Sequence, residues 1–432
     1  MPHGEPQPAS LCTEDVDCSS SMSSDDSLDD LELVYRHDMH ARRDGRNLIL
    51  FTAATCASML LALRFFHLNY SMPTTTTSNA RVRPMFVLGN SSERLLLCTL
   101  GKDATHNFAY PLDGVCNFIV YTHVRYEEEN SSFFASSPAS VRGWNFFVLK
   151  RPQYRATRLL PSQDWTMVSP MSFDARSVNR TLLHLGMVGL AFLNVRISVG
   201  QVPLLTAILR SLARGNPGMF LALGVSFHGL HDGSASRLVP TDLMDQLVTP
   251  LSLFVLETHL PTPREHCTAD VSTGRGPFFE QQEDRLTFEG AASFLAQPAL
   301  RYVDPVAMPR CISVQAGVLV FHVPRGIPRV GARCTQWTLQ KLATFCRLTS
   351  VRLHAEAQAM YGHTGQLFFT FESSVHVVPK VQAVLRVLLR SELPTCLAVY
   401  SLDLDAFAGL CSINLDRPSR LVYTAYNILK FL

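Results

Sequence analysis

After residue 93 the chain carries eight short runs of almost unbroken apolar character: RLLLCTLG, VCNFIVYTHV, WNFFVLK, GLAFLNVRI, MFLALGVSF, LSLFVLETHL, SVQAGVLVFHV and CLAVYSLDLD. A strand with one face in water alternates apolar and polar residues. A strand covered on both faces does not, and both-face cover is typical of parallel sheets. Amphipathic segments lie between the runs. QVPLLTAILRSLARGNPG puts Val202, Leu205, Leu209 and Leu212 on one helical face and stops at Asn-Pro-Gly. VPKVQAVLRVLLRSELP does the same before the last run. Strands alternating with crossover helices predict an α/β fold, a (β/α)8 TIM barrel over 94–432. A doubly wound sheet is the rival, but no Gly-x-Gly-x-x-Gly follows a run.

The first 93 residues have a different texture. Residues 1–46 hold eleven acids against four arginines, and CSSSMSSDDSLDDLELVY is too poor in apolar matter to fold. This head reads as a disordered acidic, serine-rich cytoplasmic tail. Asn47 to Leu63 is 17 residues without a charge, enough to span a bilayer, and RFFHLNY adds interfacial aromatics. Four arginines precede it, which places the N-terminus in the cytoplasm by the positive-inside rule. The reading is a single transmembrane signal anchor over 47–66, type II, with a cleaved signal peptide as the rival. A Thr-rich stem follows over 67–93. The sequons at Asn69, Asn90, Asn130 and Asn179 all follow the apolar segment, as a lumenal or extracellular C-terminal domain requires. That space is oxidising, so the eight cysteines after residue 93 are expected to form disulfides. The net charge of +2 and the lack of a basic cluster give no sign of nucleic acid as a partner.

AVYSLDLDAFAGLC, near the C-terminus, resembles the last barrel strand of glycoside hydrolase family 18, the chitinases and chitinase-like proteins. There the strand reads apolar-x-Trp-x-x-Asp-x-Asp-Asp-Phe-x-Gly, then cysteine. Here Tyr400 stands for the tryptophan and Ala406 for the last acid, while Asp403, Asp405, Phe407, Gly409 and Cys411 are retained. GQLFFTFESSVHVVPKVQAVL looks like the segment preceding that strand, and LLCTLG…YPLDGVCNFIVYTHV like the first two strands. The resemblance covers about residues 95 to 425 and places insertions within 260–310.

In the family, catalysis uses Asp-Gly-x-Asp-x-Asp-x-Glu at the end of strand four, with the glutamate as proton donor and the substrate's acetamido group as internal nucleophile, an exception to the usual two-carboxylate scheme. Alignment turns this into Val188-Gly189-Leu190-Ala191-Phe192-Leu193-Asn194-Val195. Val188, Ala191 and Leu193 replace the aspartates, and Val195, which cannot transfer a proton, takes the acid's place. Strand six, Met-x-Tyr-Asp in the family, aligns as Glu257, Thr258, His259 and Leu260. The resemblance therefore implies a pseudoenzyme without cofactor or metal, with Tyr400, Glu257 and His259 as candidates for holding an N-acetylglucosamine-containing glycan. A protein partner is the other use of such a barrel. It also implies disulfides Cys98–Cys116 and Cys346–Cys411, with Cys334 as an alternative partner. The connectivity of Cys267, Cys311, Cys334 and Cys396 stays open.

Two other chemistries compete. Asp403-Leu404-Asp405 satisfies the Asp-x-Asp pattern with which type II secretory-pathway glycosyltransferases hold a metal and a nucleotide. HGLHD offers His228, His231 and Asp232 at permissive metal spacing, but with no His-Glu-x-x-His helix.

Overall fold

The computed structural model describes residues 94–165, 174–196, 199–226, 246–259, 267–271, 288–296, 308–345, 351–355, 357–390, 394–405 and 420–431. The tail, the 47–66 span, the stem, Asn69, Asn90, Cys346, Cys411, and the His228, His231 and Asp232 group lie outside the described residues. Among the described residues no helix is long and apolar enough to cross a membrane.

Strands β1 (Leu95–Leu100), β2 (Phe118–Glu127), β3 (Ser132–Ala135), β4 (Arg158–Gln163), β5 (Gly189–Val195), β6 (Phe220–Ser226), β7 (Leu253–Glu257) and β8 (Arg310–Gln315) follow in order, and β14 (Thr395–Tyr400) comes last. The order β1-β14-β8-β7-β6-β5-β4-β2, with β1 also pairing β2, closes eight parallel strands into a barrel. The expected (β/α)8 barrel is present. β3 adds antiparallel to the far end of β2.

Side chains alternate between two apolar layers. Leu97, Val120, Leu160, Ala191, Ala222 and Ala398 fill the barrel interior. Leu190, Phe192, Leu221 and Leu223 face outward onto the helices. Helix Val202–Gly215 buries Val202, Leu205, Leu209 and Leu212, the face its periodicity predicts.

Two expected strands are corrected. WNFFVLK is not the third strand but part of helix Val141–Lys150. Its buried residues, Trp144 and Phe147, are three apart, as one helical face requires, and Leu149 is exposed. The third barrel strand is RLLPSQ, Arg158–Gln163. Pro161 cannot donate to a ladder, and β4 meets β5 through a single paired position, Ser162 with Ala191. SVQAGVLVFHV is two strands in two sheets. It leaves the barrel at Gln315 and turns at Gly317, where a Cβ would lie 3.0 Å from Leu404 Cβ and 3.1 Å from Leu339 Cδ1.

That turn opens an insertion between the seventh and eighth barrel strands. β9 (Val318–His322), β10 (Gln336–Gln340), β11 (Arg352–His354), β12 (Ala359–Thr364) and β13 (Leu367–Phe371) form an antiparallel sheet in the order β10-β9-β13-β12-β11. The insertion was expected within 260–310, and this sheet lies later in the chain. The described part of 260–310 includes helix Phe288–Leu295 and the stretch 267–271, which is tied to the sheet by Cys267–Cys334.

Cys98–Cys116 forms as expected, joining β1 to the entry of β2. Cys334 pairs with Cys267, which removes it as the alternative partner of Cys411. Cys311 and Cys396 are register partners on β8 and β14, and they bridge inside the barrel. Their connectivity could not be read from spacing, because their sequence separation of 85 takes in the whole inserted sheet.

Candidate functional site

The three ligand-binding candidates converge at the C-terminal end of the barrel. Glu257 ends β7 and is fully buried. Its Oε1 accepts the Tyr400 hydroxyl at 2.6 Å and the Asn194 backbone N–H at 2.7 Å. Its Oε2 is buried with no hydrogen-bond partner. The His259 and Tyr400 rings lie 3.9 Å apart. Gly224 on β6 makes room for the group, since a Cβ there would fall 2.9 Å from Tyr400 Oη and closer still to Glu257 Oε1.

Ser313 on β8 fixes the histidine. Its Oγ accepts the backbone N–H groups of Thr258 at 2.9 Å and His259 at 3.3 Å, leaving its one proton for His259 Nδ1 at 2.8 Å. Nδ1 therefore accepts, and Nε2 carries the ring proton. Burial, helped by the positive charge of Arg196, pushes His259 down to about 3, so the ring is neutral at physiological pH. Burial pushes Glu257 up to about 7, against the lowering effect of the Tyr400 and Asn194 hydrogen bonds and of Arg196. The Tyr400 hydroxyl stays protonated, raised by burial and by Glu257.

Glu257 thus makes the native state bind a proton that the unfolded chain releases. Its folded value, about 7, lies above the unfolded value near 4.5. Its contribution is full below about 4.5 and is lost as pH rises through 7. Glu257→Gln keeps an acceptor for both donors but cannot ionise. Urea unfolding of the wild type is expected to show stability falling by up to ~3 kcal/mol between pH 4.5 and 8 from this group. The variant should lack that component. An identical pH slope in both proteins would rule out the assignment.

Tyr400 is packed rather than displayed. It is 1% exposed, with one ring neighbour and its hydroxyl committed to Glu257, so it offers no open face to a sugar in this arrangement. The fourth strand also differs from its alignment. Ala191 and Leu193 face inward and seal the barrel beneath the mouth. Val195 packs in the outer layer. The reason is local. Asn194 adopts the left-handed region (φ 59°), and the β5–β6 register shifts between Phe192 and Val195, adding a residue and reversing the alternation. The position aligned with the acid is therefore apolar and also turned away from the mouth.

Asp403 is scaffold. It is buried, and its Oδ1 and Oδ2 accept the backbone N–H groups of Gly101 at 2.7 Å and Asp103 at 3.0 Å, pinning the loop after β1. Burial raises it to about 6 despite those donors. A carboxylate spent on two backbone amides is poorly placed to hold a nucleotide-bound metal as the glycosyltransferase reading requires. Among the described residues no group of three or more His, Cys, Asp or Glu is placed to hold a metal ion.

Two mouth residues were not singled out from sequence. Arg196, exposed just past β5, lies with its guanidinium carbon 5.5 Å from the ring centroid of Trp337. Trp337 belongs to β10 of the inserted sheet, so this contact runs from the fourth barrel strand's loop to the insertion. Nothing in local sequence signals it. Lys341, from the same insertion, pairs with Asp103 at 2.8 Å. Elsewhere on the domain, Asn130 is exposed beside β3 and donates to Glu127, while Asn179 sits in helix Ala175–Leu185.

The fold has counterparts among solved structures. No family model matches the chain, and no curated protein matches it. The Group IV chitinase of Ostrinia furnacalis superposes with a TM-score of 0.59 at 14% identity, covering 78% of this chain and 100% of the other. Human YKL-39, described as a pseudo-chitinase with retained chitooligosaccharide binding properties, gives 0.56 at 15% identity, with coverage of 78% and 100%. A class V chitinase mutant from Nicotiana tobaccum in complex with NAG4 gives 0.54 at 13% identity, covering 77% and 99%. The chain has the chitinase-like fold of glycoside hydrolase family 18. That fold is shared by active enzymes and a pseudo-chitinase.

Proposed function

We propose that this is a catalytically inactive chitinase-like protein, anchored as a type II membrane protein, whose barrel mouth binds an N-acetylglucosamine-containing saccharide in the lumenal or extracellular space. The observation that carries the inactive reading is the fourth strand. Its inward-facing positions are Ala191 and Leu193, and Val195 is turned into the outer layer, so no proton donor stands where the fold's chemistry uses one. Glu257 does not replace it. Its Oε1 is held by Tyr400 and Asn194, and its carboxyl lies below the mouth with no exposed surface.

Three observations support the rest. YKL-39 shows that this fold can bind chitooligosaccharides as a pseudo-chitinase. Three disulfides among the described residues fit an oxidising compartment. The uncharged 47–63 segment, with every sequon on its C-terminal side, fits the anchor.

The test uses the full-length chain purified from a secretory host. Chitotetraose at a hundredfold excess over its dissociation constant is expected to stabilise the domain by about 2.7 kcal/mol. Digestion with an N-glycosidase should shift the same preparation on a gel. No stabilisation at any accessible concentration would move the role to a protein partner. No glycosidase shift would remove the lumenal topology.

A further inference from the structure

The end of the barrel opposite the mouth is basic and apolar at once. In this fold the helices run back against the strands, so each ends near the start of the next strand. Helices Val141–Lys150, Val202–Gly215, Ser374–Arg390 and Arg420–Phe431 carry Lys150, Arg214, Arg390 and Lys430 in their last turns. Arg151 and Arg155, both exposed, follow the first of these helices. Basic residues suit a helix C-terminus because of its dipole. The dipole gives no reason for exposed apolar side chains beside them, yet Leu112, Leu149, Leu183 and Phe431 are 67–80% exposed.

Single exposed apolar residues are ordinary. These four are gathered at one end by hydrogen bonds between their segments. Tyr154 Oη donates to Pro111 O at 2.8 Å, and Asp113 accepts the N–H groups of Arg155 and Thr157, so Leu112 sits beside the entry to β4. Arg151 Nε donates to Gly186 O at 3.2 Å, joining the helix ends that carry Leu149 and Leu183. Arg94 Nη1 donates to Leu429 O at 3.1 Å, which places Phe431 near the start of β1. Arg94 is also where the described domain begins, downstream of the uncharged 47–63 segment. The chain therefore enters the barrel at its basic and apolar end.

We propose that this end of the barrel rests on a phospholipid bilayer, its basic side chains meeting headgroup phosphates and Leu112, Leu149, Leu183 and Phe431 entering the interface. This rests on the membrane-anchor reading and goes beyond it, since an anchor and a stem alone fix no orientation of the domain. Lysine and arginine beside leucine and phenylalanine are the residue set with which surfaces bind at a bilayer interface. Cations interspersed among the apolar residues count against a protein partner, since the core of a protein interface is depleted of charge. A bilayer on this face leaves the other end, with Glu257, Tyr400 and His259, turned away from the membrane.

The experiment reconstitutes the full-length chain in nanodiscs of phosphatidylcholine with one-fifth phosphatidylserine. A photoreactive benzophenone amino acid is placed at one position at a time. Leu149, Leu183 and Phe431 report on this end, while Ile327, after β9, and Val375, which lies in the first turn of the helix that Arg390 ends, are exposed apolar controls. Irradiation is expected to give lipid adducts, read by mass, at the first three positions and none at the controls. Lys150→Gln, Arg214→Gln and Lys430→Gln combined should lower the adduct yield at position 183, by up to about fivefold per charge removed. Adducts to a second copy or to another protein in place of lipid, or lipid adducts at all five positions alike, would overturn the proposal. No lipid adduct while the chain stays with the discs would remove the resting face and leave the anchor standing. A chain that does not enter the discs would overturn the anchor reading and this proposal with it.

Discussion

Replacing Cys311 and Cys396 together by alanine is expected to lower unfolding stability by roughly 4 kcal/mol on the chain-entropy model. The two are register partners on the seventh and eighth barrel strands, 85 residues apart in sequence. Between them the chain leaves the barrel, builds a five-stranded sheet and returns. Without the bond, the unfolded chain must close that long loop for β8 and β14 to meet, and the closing cost grows with the logarithm of the loop. Both sulfurs are fully buried in the barrel interior, so their removal also leaves a small void. Cys98–Cys116 spans only 18 residues, and its loss should cost less, about 3 kcal/mol. Guanidinium unfolding of the two double variants checks the order. Equal costs, or a larger cost for the short loop, would show that loop closure is not what the buried bond contributes.

Lys380→Met should destabilise the domain by about 3–5 kcal/mol, a large effect for one side chain. Lys380 is fully buried in helix Ser374–Arg390, with its Nζ 2.6 Å from Glu372 Oε1 and 5.2 Å from the Phe288 ring centroid. Burial lowers the lysine's pKa, and Glu372 opposes that effect. The ion pair sits where the inserted sheet, ending at Phe371, hands the chain to the helix before the last barrel strand. Removing the cation strands a carboxylate away from water, and that desolvation is the main source of the loss. Lys380→Met combined with Glu372→Gln should recover most of it. A single variant as stable as the wild type in urea would mean that the pair carries no net charge or is solvated in solution.

How far the sequence reveals this architecture depends on the element. β1, β5, β6, β7 and β14 were legible because each is apolar over most of its length. β4 was not, because Pro161, Ser162 and Gln163 break the apolar run, although all three are buried. WNFFVLK misled because Trp and Phe suit both a strand and a helix face, and so short a run cannot show which period governs it. Much of the inserted sheet escaped notice because three of its five strands are largely unburied, β10 and β11 having no buried residue at all.

The site divides along similar lines. Tyr400, Glu257 and His259 could be found because strand ends can be aligned, and the structure brings all three together. That Val195 is turned outward depends on a left-handed residue at Asn194, which no composition or spacing announces. Trp337 reaches the mouth from a sheet whose place in space is set by tertiary packing alone.

The most direct measurement of the central claim is turnover. Full-length protein, incubated at micromolar concentration with chitohexaose from pH 4 to 8, is expected to release no shorter oligomers above the no-enzyme control, because no proton donor faces the mouth from the fourth strand. Release of shorter oligomers that disappears in Glu257→Gln would contradict the account, since it would make the buried carboxyl on β7 a working acid and this barrel an enzyme.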